Sequence, residues 1–529
     1  MKRDFTSLSN KTYDLLICGG GIYGAWTAYD AALRGLKVLI VEQNDWAGAT
    51  SSASTKLIHG GLRYLETFDF HLVKKSLKER TLLLRLAPHR VWPLHFGVPV
   101  YARQRINRLQ LKLGLSLYDY LAHDTDPAMQ HHYFNSARLS ALFPFIKDNE
   151  LKGGFTYADA QTDDARLVLE LIAGAQNAGA DCINYCQLIQ ILEIQGKADG
   201  AIVRDQLSDN ELRIHAKQIV FTTGQWLAAA EPSQDWCRLA KGVHLVMPPL
   251  LKDIALLLMA PSDGRVFFMI PWYGLTLLGT TDTDYQGDVT NVTVANCDID
   301  YLLEAANHYL KTSWTRSDIH GYFAGVRVFK KSSQSAASES PSAVSRDWEL
   351  KSAPNGVHYA IGGKITSARQ DAASIVDTIC AQLGITTPCV THNQLLPWAP
   401  RTGFSAWTTD MANTAVSLGI DAESTRWLLR RHGIRTTEIF QQIRVKKDLA
   451  QRIIPSLPFI RADLLYCAAT EMIIHLDDLL RRRLPLLILT KLTGDQLRDI
   501  AQSVAAILNW DHSRQTEEIA RCNRYRKQP

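Results

Sequence analysis

The sequence predicts an α/β protein whose long N-terminal part is followed by an all-helical C-terminal region. Three features of the 529 residues indicate this fold. Residues 13–42 show the pattern of one complete strand–helix–strand unit with a glycine-rich turn. Two later strands, within residues 217–226 and 357–379, also end in glycine-rich turns. Beyond a boundary near 385–405, residues 405–525 show helical spacing almost throughout and contain no nucleotide motif.

The first unit has the pattern that binds a dinucleotide. YDLLIC (13–18) is typical of a buried strand, and KVLIV (37–41) predicts a second strand after an amphipathic helix. The first turn has the spacing G-x-G-x-x-G, formed by Gly19, Gly21 and Gly24. Its first glycine permits a tight turn, its second lets a pyrophosphate approach the backbone, and its third allows close helix–strand packing. Glu42 ends the second strand, where its carboxylate can accept hydrogen bonds from a ribose and disfavours NADP.

The segment after Glu42 favours FAD over NAD. Residues 43–66 are rich in small hydroxyl residues and contain a Gly-Gly pair, which suits a loop wrapped around an extended cofactor. KQIVFTTGQW (217–226) and VHYAIGGKITSARQDAASIVDTI (357–379) supply two further places where backbone can approach a dinucleotide. Three such places, spread along the N-terminal part, indicate a long cofactor held by an interleaved fold.

Composition narrows the function classes. The chain is 46% hydrophobic and 21% charged, which is ordinary for a globular protein. A net charge of +5 is too mild to indicate nucleic-acid binding, but it suits an anionic substrate or an anionic membrane surface. The nine cysteines include no C-x-x-C pair, so we expect reduced thiols and no metal site. Without a signal core or an apolar run of ~20 residues, the protein is expected to be soluble or to rest on a membrane surface.

Nine further strings occur in the order and form seen in one protein family. They are ATSSASTKLIHGGLRYLE (49–66), TDDARLVLE (162–170), KGVHLVMP (241–248), FMIPW (268–272), LLGTTDTDYQGD (277–288), AGVRVF (324–329), SRDWEL (345–350), GGKITSAR (362–369) and DLLRRR (478–483). With the glycine-rich turn, they closely resemble FAD-dependent glycerol-3-phosphate dehydrogenases of the aerobic type. The resemblance runs from about residue 12 to about residue 515 and is far more specific than the dinucleotide motif alone.

The resemblance implies a glutathione-reductase-like FAD-binding domain interleaved with an antiparallel-sheet substrate domain, plus an all-helical C-terminal cap. We expect the first two in residues 12–395, with the substrate part at approximately 80–155 and 230–345, and the cap in residues 396–529. The family oxidises sn-glycerol 3-phosphate to dihydroxyacetone phosphate, passing a hydride to flavin N5 and electrons to a quinone, or to oxygen in oxidase members. Peripheral attachment to the cytoplasmic face of the membrane and a homodimer are further expectations.

A phosphate dianion needs several fixed donors. The residues expected to bind substrate are Arg63, Tyr64, Arg327 and Lys364, at positions that line the substrate pocket in the family. Arg327 lies between the apolar Val326 and Val328, where a buried charge needs a partner, and a substrate anion is a reasonable one.

Removal of the hydroxyl proton needs a base, and a histidine with a pKa of about 6.5 suits this task near neutral pH. His244 is the first candidate, because the matching family position is an active-site histidine, and its alternative role is to orient the substrate. His59 is the second candidate, with contact to the flavin as its alternative role. We expect flavin reduction to speed up with rising pH across the histidine range. Arg327 and Lys364 complete the predicted catalytic set. The residues expected to bind the cofactor are Gly19, Gly21, Gly24, Glu42, Thr50, Ser51, Thr55, His59, Gly224, Gly362, Gly363 and Thr366.

Several neighbours of these residues depart from the family pattern. Val328 and Phe329 follow Arg327, and Ser367 and Ala368 replace the usual Thr-Tyr pair. Charged groups are kept while packing neighbours change, which leaves open a divergent dehydrogenase or oxidase acting on another anionic or phosphorylated alcohol. A non-catalytic flavoprotein scaffold is the other alternative. The presence of His244, Arg327 and Lys364 argues against it, because a chain without catalytic function would tend to lose charged groups that are costly to bury.

Three other segments remain. Two of them have two interpretations each, and the third is expected to be a loop. RQRINRLQLKLGLSLYDYL (103–121) predicts a basic amphipathic helix, which either lies on a membrane surface or packs on the core as an ordinary surface helix. The three arginines at 481–483 either contact an anion or complement a helix dipole before Pro485. The serine-rich segment 331–345 is expected to form a surface loop.

Overall fold

Two large β-sheets and a helical C-terminal region make up the protein. The structure, a computed structural model, describes residues 1–66, 68–102, 104–123, 126–229, 232–331 and 347–526. The strands are β1 (Thr12–Cys18), β2 (Val38–Val41), β3 (Leu57–Ile58), β4 (Val91–Tyr101), β5 (His132–Phe134), β6 (Leu151–Thr162), β7 (Asp181–Ile183), β8 (Cys186–Ile194), β9 (Lys197–Asp205), β10 (Glu211–Phe221), β11 (Cys237–Met247), β12 (Ile254–Met259), β13 (Val266–Trp272), β14 (Leu275–Gly279), β15 (Thr283–Asp284), β16 (Gly321–Lys330), β17 (Trp348–Ser352) and β18 (His358–Gly362). The helices are α1 (Ile22–Leu33), α2 (Phe70–Leu86), α3 (Arg108–Ala122), α4 (Ser136–Leu142), α5 (Asp164–Asn177), α6 (Asn296–Tyr309), α7 (Ala368–Leu383), α8 (Phe404–Ser417), α9 (Ala422–His432), α10 (Thr436–Val445), α11 (Arg461–Thr470), α12 (Leu476–Asp478), α13 (Leu486–Leu489), α14 (Gly494–Leu508) and α15 (His512–Asn523).

The first sheet is built on parallel strands. β1 lies between β2 and β10, with β7 beyond β2 and β18 beyond β10, and all these neighbours are parallel. The β8–β9 hairpin and β17 extend this sheet with antiparallel pairing. β2 is apolar and buried along its whole length, as expected of a parallel strand covered on both faces. Helices α1, α5 and α7 pack together with these strands in one apolar cluster.

The second sheet is largely antiparallel and is drawn from two separate stretches of chain. β3 to β6 come from residues 57–162, and β11 to β16 come from residues 237–330. Both stretches interrupt the first sheet, so the two sheets are interleaved along the chain and the predicted fold class is confirmed. The first stretch is longer than the expected 80–155, because β3 pairs with the end of β6.

The C-terminal region consists of α8 to α15 and is held to the first part by buried polar contacts. Arg166 on α5 forms an ion pair with Glu471, and Arg90 donates hydrogen bonds to the carbonyls of Arg430 and Arg431. These groups are almost completely buried. Because an unpaired buried charge is costly, the contacts specify how this helical region packs.

The basic amphipathic helix is shorter than expected. α3 begins at Arg108, because Asn107 caps its N-terminus and forms a capping box with Gln110. Arg103 and the serine-rich segment beyond Lys331 lie outside the described residues. In the part of the chain that the structure describes, no helix is both long and apolar enough to cross a bilayer.

Candidate active site

A cavity of about 1370 Å³ lies where the two sheets meet. Its walls come from the carboxyl ends of β1, β2, β10 and β18 in the first sheet and from β11 and β16 in the second. Ligands of α/β sheets bind outside the carboxyl ends of parallel strands, so this is the expected position for a ligand. Most of the residues singled out from the sequence line this cavity, whereas Gly24 and Tyr64 lie outside its lining.

The glycine-rich turn has the geometry that its sequence predicts. Gly19 has φ +112°, and a Cβ there would lie 2.7 Å from a carbonyl oxygen of the backbone after β10. A Cβ on Gly24 would lie 1.9 Å from the carbonyl oxygen of Gly19, which explains why this position packs α1 on β1 rather than lining the cavity. Gly21 caps α1, and the Ser51 hydroxyl accepts a hydrogen bond of 2.9 Å from the amide of Ile22. The turn therefore presents backbone at a helix N-terminus, which favours a phosphate.

Glu42 lies on the cavity wall just after β2. Its carboxylate accepts hydrogen bonds from the amides of Gly20, at 2.6 Å, and Asn44, at 2.8 Å. Burial raises the pKa of Glu42, although these two amides act in the opposite direction. The amides fix the carboxylate at the strand end, where the ribose of a dinucleotide is expected.

Two more glycine-rich turns line the cavity beside the first one. Gly224 has φ +55°, and Gly362 and Gly363 have φ of +76° and +87°. A Cβ on Gly363 would lie 1.7 Å from the hydroxyl oxygen of Tyr23, so this approach requires glycine.

Two hydroxyl groups connect residues 43–66, here called the cofactor loop, to the rest of the protein. Thr50 donates a hydrogen bond of 2.6 Å to the carbonyl of Val326, and Thr366 accepts one of 3.2 Å from the amide of His59. The cavity thus has glycine backbone from three turns and a carboxylate at one strand tip, an arrangement that fits an extended dinucleotide such as FAD. The predicted cofactor residues other than Gly24 line this cavity, and Thr55 is also in contact with His244.

His244 is buried on β11 and stacks on Phe323, with 4.9 Å between ring centroids. Its Nε2 lies 3.0 Å from the Thr55 hydroxyl, while its Nδ1 has no hydrogen-bond partner among the described residues. Burial first, and then the charges of Arg327 and Lys56, hold the pKa of His244 well below its usual value. The imidazole is therefore neutral at pH 7, and its titration lies below the ordinary histidine range that the sequence suggested.

Arg327 projects from β16, which pairs with β11. Its guanidinium donates hydrogen bonds of 3.0 Å to Asp282 and to the Thr280 hydroxyl. A Cβ on Gly242 would lie 2.7 Å from both terminal nitrogens, so glycine makes room for this side chain. Asp282 therefore compensates the charge of Arg327 within the protein, and a substrate anion as a further partner stays a prediction.

Arg63 and Lys364 meet at one aromatic ring. The Nζ of Lys364 lies 5.0 Å from the ring centroid of Tyr64, and the guanidinium carbon of Arg63 lies 5.3 Å from it. Both cations line the cavity, and Tyr64 supports them from outside the lining. Residues far apart in sequence are thereby combined into one cationic cluster.

The sequence did not single out Lys56 and Asp164, which support this site. Lys56 is 3% exposed and lies 2.6 Å from the carboxylate of Asp164, with a second contact of 2.6 Å to the carbonyl of Ser52. Asp164 also accepts hydrogen bonds from the amide and hydroxyl of Ser54. This ion pair fixes the backbone on both sides of Thr55, the residue that contacts His244. Asp164 lies in the family string at 162–170, and this string was the sequence feature that could have identified it as a site residue.

The arginines at 481–483 have different environments. Arg482 and Arg483 are buried and both form ion pairs with Asp45, which follows Glu42 in the cofactor loop. Although burial raises the pKa of Asp45, Arg483 and Arg482 outweigh it and lower that pKa. The helical region thus holds the cofactor loop through a closed ion-pair cluster.

One buried group in the helical region has metal-binding residue types. His432, Cys467 and Glu471 each bring a ligand atom within 4.8 Å of the others. Glu471 forms ion pairs with Arg166 and Arg435, and His432 contacts Asp463 at 2.6 Å. Because both arginines pair with the Glu471 carboxylate, His432, Cys467 and Glu471 form part of the buried ion-pair network.

Comparison with known proteins agrees with this geometry. Residues 14–369 match the family described as FAD dependent oxidoreductase, and residues 389–515 match the C-terminal domain of alpha-glycerophosphate oxidase. The glycerol-3-phosphate dehydrogenase of Synechocystis sp. is 34% identical, covering 99% of this chain and 98% of its own length. The aerobic glycerol-3-phosphate dehydrogenase of Bacillus subtilis is 33% identical, covering 91% of this chain and 88% of its own.

A solved structure extends the agreement to three dimensions. The glycerol-3-phosphate dehydrogenase of Bacillus halodurans, complexed with FAD, superposes with a TM-score of 0.79 at 28% identity, covering 98% of this chain and 95% of that one. The interleaved sheets and the glycine-lined cavity define a flavin-dependent oxidoreductase. The chain belongs to the FAD-dependent oxidoreductase family that includes the glycerol-3-phosphate dehydrogenases, and its cofactor is FAD. The predicted family, enzyme class and cofactor are confirmed.

Proposed function

We propose that the protein oxidises sn-glycerol 3-phosphate to dihydroxyacetone phosphate and passes the electrons to a quinone. One observation carries the proposal: a dinucleotide-binding turn, the neutral His244 and the cations Arg63, Arg327 and Lys364 occupy a single cavity. The Synechocystis and Bacillus subtilis relatives, which are glycerol-3-phosphate dehydrogenases by name, support the same substrate.

Arg327 and Lys364 bind the substrate phosphate in this proposal. Asp282 and the Thr280 hydroxyl hold the Arg327 guanidinium before substrate arrives, so little side-chain entropy is lost on binding. Lys364 follows Gly363 directly and adds a point charge, while Arg63 supplies a further forked donor. The Tyr64 ring contacts both Lys364 and Arg63 and keeps these two side chains on the cavity wall.

His244 accepts the hydroxyl proton at Nε2, the nitrogen that contacts the cavity-lining Thr55. A neutral ring can accept a proton, and the nearby charges of Arg327 and Lys56 oppose its retention, which favours release after the reaction. The chemistry that bound FAD would supply is hydride acceptance at N5, and the glycines at 362–363 would let backbone approach the cofactor in the cavity.

The cavity opens beside an exposed apolar surface, here called the apolar rim and formed by Phe68, Leu109 and Leu113. Their exposed fractions are 76%, 66% and 64%, and Phe68 and Leu113 also line the cavity. Arg108 and Lys112 flank these side chains on α3. We propose that the apolar rim rests on the cytoplasmic face of the membrane and that the quinone reaches the cavity from the lipid.

Anaerobic mixing of the FAD-loaded protein with sn-glycerol 3-phosphate tests the substrate. The flavin absorbance near its visible maximum should bleach, whereas glycerol, which lacks the phosphate, should leave it unchanged at the same concentration. Full flavin content without bleaching by sn-glycerol 3-phosphate would contradict the proposal.

Co-sedimentation with phospholipid vesicles tests the apolar rim. Leu109→Asp should bind vesicles less than the parent protein does. Val445→Asp is the matched control, because Val445 is 91% exposed on α10 and is not part of the rim. Equal vesicle binding by the two variants would exclude the rim as the contact. Sedimentation velocity of the same samples tests the expected homodimer.

A further inference from the structure

A second cavity, of about 680 Å³, lies between the cofactor loop, the start of β16 and the C-terminal helical region. It shares one wall with the catalytic cavity. The residues that line both cavities are Asn44, Gly48, Ala49, Thr50, Ala53, Gln225, Trp226 and Gly325. The second cavity therefore adjoins the loop that holds the cofactor, yet none of the predicted substrate-binding or catalytic residues lines it.

Cations outnumber carboxylates around this cavity. The cationic side chains in its lining are Arg481, Arg482, Lys491, Arg521 and Arg524. The carboxylates in its lining are Asp45 and Asp477. Five positive charges against two negative ones leave an excess of three, which is a large local charge beside a polar cavity.

The two carboxylates are already occupied by other residues. Asp45 pairs with Arg482 and Arg483, as described above. Asp477 pairs with Arg521 and accepts a hydrogen bond of 2.9 Å from the Tyr525 hydroxyl. The remaining cations, Arg481, Lys491 and Arg524, form no ion pair with any residue that the structure describes.

Arg481 is the best placed of these three cations. It is half-buried, and its guanidinium carbon lies 4.1 Å from the ring centroid of Tyr525. A guanidinium that stacks on an aromatic ring still presents its N–H donors at its edge, in the geometry that binds phosphate with two hydrogen bonds. Burial, reinforced by the nearby Arg482, lowers the pKa of Arg481, as expected of a cation without sufficient compensation.

We propose that this second cavity binds a phosphate monoester, with Arg481 as the forked donor and Lys491 and Arg524 as the compensating charges. A dianion matches the excess of positive charge better than a single carboxylate does, and Thr490 adds a hydroxyl donor to the lining. The phosphate comes from either a small phosphorylated metabolite or a phosphatidic acid headgroup. Because the wall is shared, the bound anion also ties the cofactor loop to the helical region. The inference does not depend on the substrate proposed above.

Equilibrium dialysis of the FAD-loaded full chain with radiolabelled inorganic phosphate, at fixed low ionic strength, counts the sites. The parent protein should bind two equivalents. Arg481→Gln should lose one equivalent, with binding at that site weakened about tenfold to a hundredfold, and Lys364→Ala should lose the other. Arg444→Gln, an exposed arginine on α10 that is not part of the cavity, is the matched control.

The outcomes separate this proposal from that of the catalytic cavity. A single equivalent that Lys364→Ala abolishes and Arg481→Gln retains would overturn the second site. A single equivalent that Arg481→Gln abolishes would support the second site and contradict phosphate binding in the catalytic cavity. Should Arg481→Gln fail to fold, as judged by flavin content, the exposed Lys491→Gln replaces it with the same expectation.

Vesicles distinguish the two sources of the phosphate. If a lipid headgroup is the natural ligand, Arg481→Gln should bind phosphatidic acid vesicles more weakly than the parent protein, with no change for phosphatidylcholine vesicles. Loss of phosphate binding with unchanged binding to both kinds of vesicle identifies a soluble phosphate ester.

Discussion

Arg327 and Arg483 are both enclosed arginines in family strings, but their surroundings differ. Arg483 is completely buried, and its terminal nitrogens are taken by the Asp45 carboxylate and the carbonyl of Glu471. The Arg327 side chain keeps 19% of its surface exposed on a cavity wall, with Asp282 on one side. The first arrangement is closed and holds two regions together, whereas the second is fixed in place but still faces a ligand.

This difference shows how one residue type serves two purposes. A buried cation whose terminal nitrogens are all paired contributes to specifying a structure, and removing it leaves a buried carboxylate with less compensation. A cation held by a single carboxylate at a cavity wall is positioned in advance for an anion. Substitutions in the closed cluster should therefore change stability, and substitutions in the cavity should change binding or rate.

The largest effect is expected at the cavity. His244→Ala should slow flavin reduction at saturating substrate by about 10²–10⁴-fold, because loss of a general base acts mainly on the transition state. Stopped-flow absorbance under anaerobic conditions measures the rate. His59→Gln is the control and should alter flavin binding or the flavin spectrum more than the rate. An unchanged reduction rate in His244→Ala would exclude it as the base.

The closed cluster should respond in stability instead. Arg483→Met leaves the buried Asp45 with one fewer partner, and breaking such a pair should lower the free energy of unfolding by about 3–5 kcal/mol. Thermal or urea unfolding of the FAD-loaded protein measures this loss. Arg498→Met is the control, because Arg498 pairs with Asp495 on the surface and should change stability little. Similar losses in the two variants would remove the distinction between the regions.

Arg327→Ala and Lys364→Ala should each raise the apparent KM for sn-glycerol 3-phosphate and leave flavin content intact. Loss of a charge-assisted hydrogen bond costs about 1.5–3 kcal/mol, or roughly a tenfold to hundredfold change. Steady-state kinetics with an artificial electron acceptor give the value. Parent-like KM values in both variants would mean that the phosphate binds elsewhere.

A smaller effect is expected from Thr55→Val, which removes the hydroxyl that contacts His244 but keeps the side-chain shape. Loss of one neutral hydrogen bond, worth about 0.5–1.5 kcal/mol, should reduce the flavin-reduction rate roughly twofold to tenfold. Thr55→Ser, which keeps the hydroxyl, should restore most of the rate. Equal rates in the two variants would show that the hydroxyl does not orient the ring.

The pH dependence should be the mildest effect near neutrality. Only the neutral imidazole can accept a proton, and its fraction falls as the pH drops through the pKa of His244. Because burial and two cations lower that pKa, the reduction rate should be nearly constant from pH 7 to pH 9 and should fall only below the ordinary histidine value of about 6.5. A rate that still rises between pH 7 and pH 8 would indicate a base with a higher pKa.

The sequence predicts the cofactor-binding part well, because local rules determine it. A strand, a glycine turn and a helix in succession place Gly19 and Gly24 wherever the chain folds as a β-α-β unit. The family strings that contain Arg327 and Lys364 identify them as candidate site residues, but no local pattern places them in the same cavity. The sequence prediction placed the start of α3 too early, because the capping box at Asn107 begins the helix there and outweighs the basic amphipathic pattern that precedes it.

By itself, the sequence determined the α/β class, the FAD-binding turn, the helical C-terminal region and the family. Each depends on short-range periodicity or on strings of adjacent residues. Only the tertiary structure decided that Lys56 pairs with Asp164 and that Asp282 compensates Arg327. It also decided that Arg481, unlike Arg482 and Arg483, forms no ion pair with any residue that the structure describes. Charge compensation depends on distances between segments that lie 45 to 438 residues apart along the chain, and the folded packing alone brings those segments together.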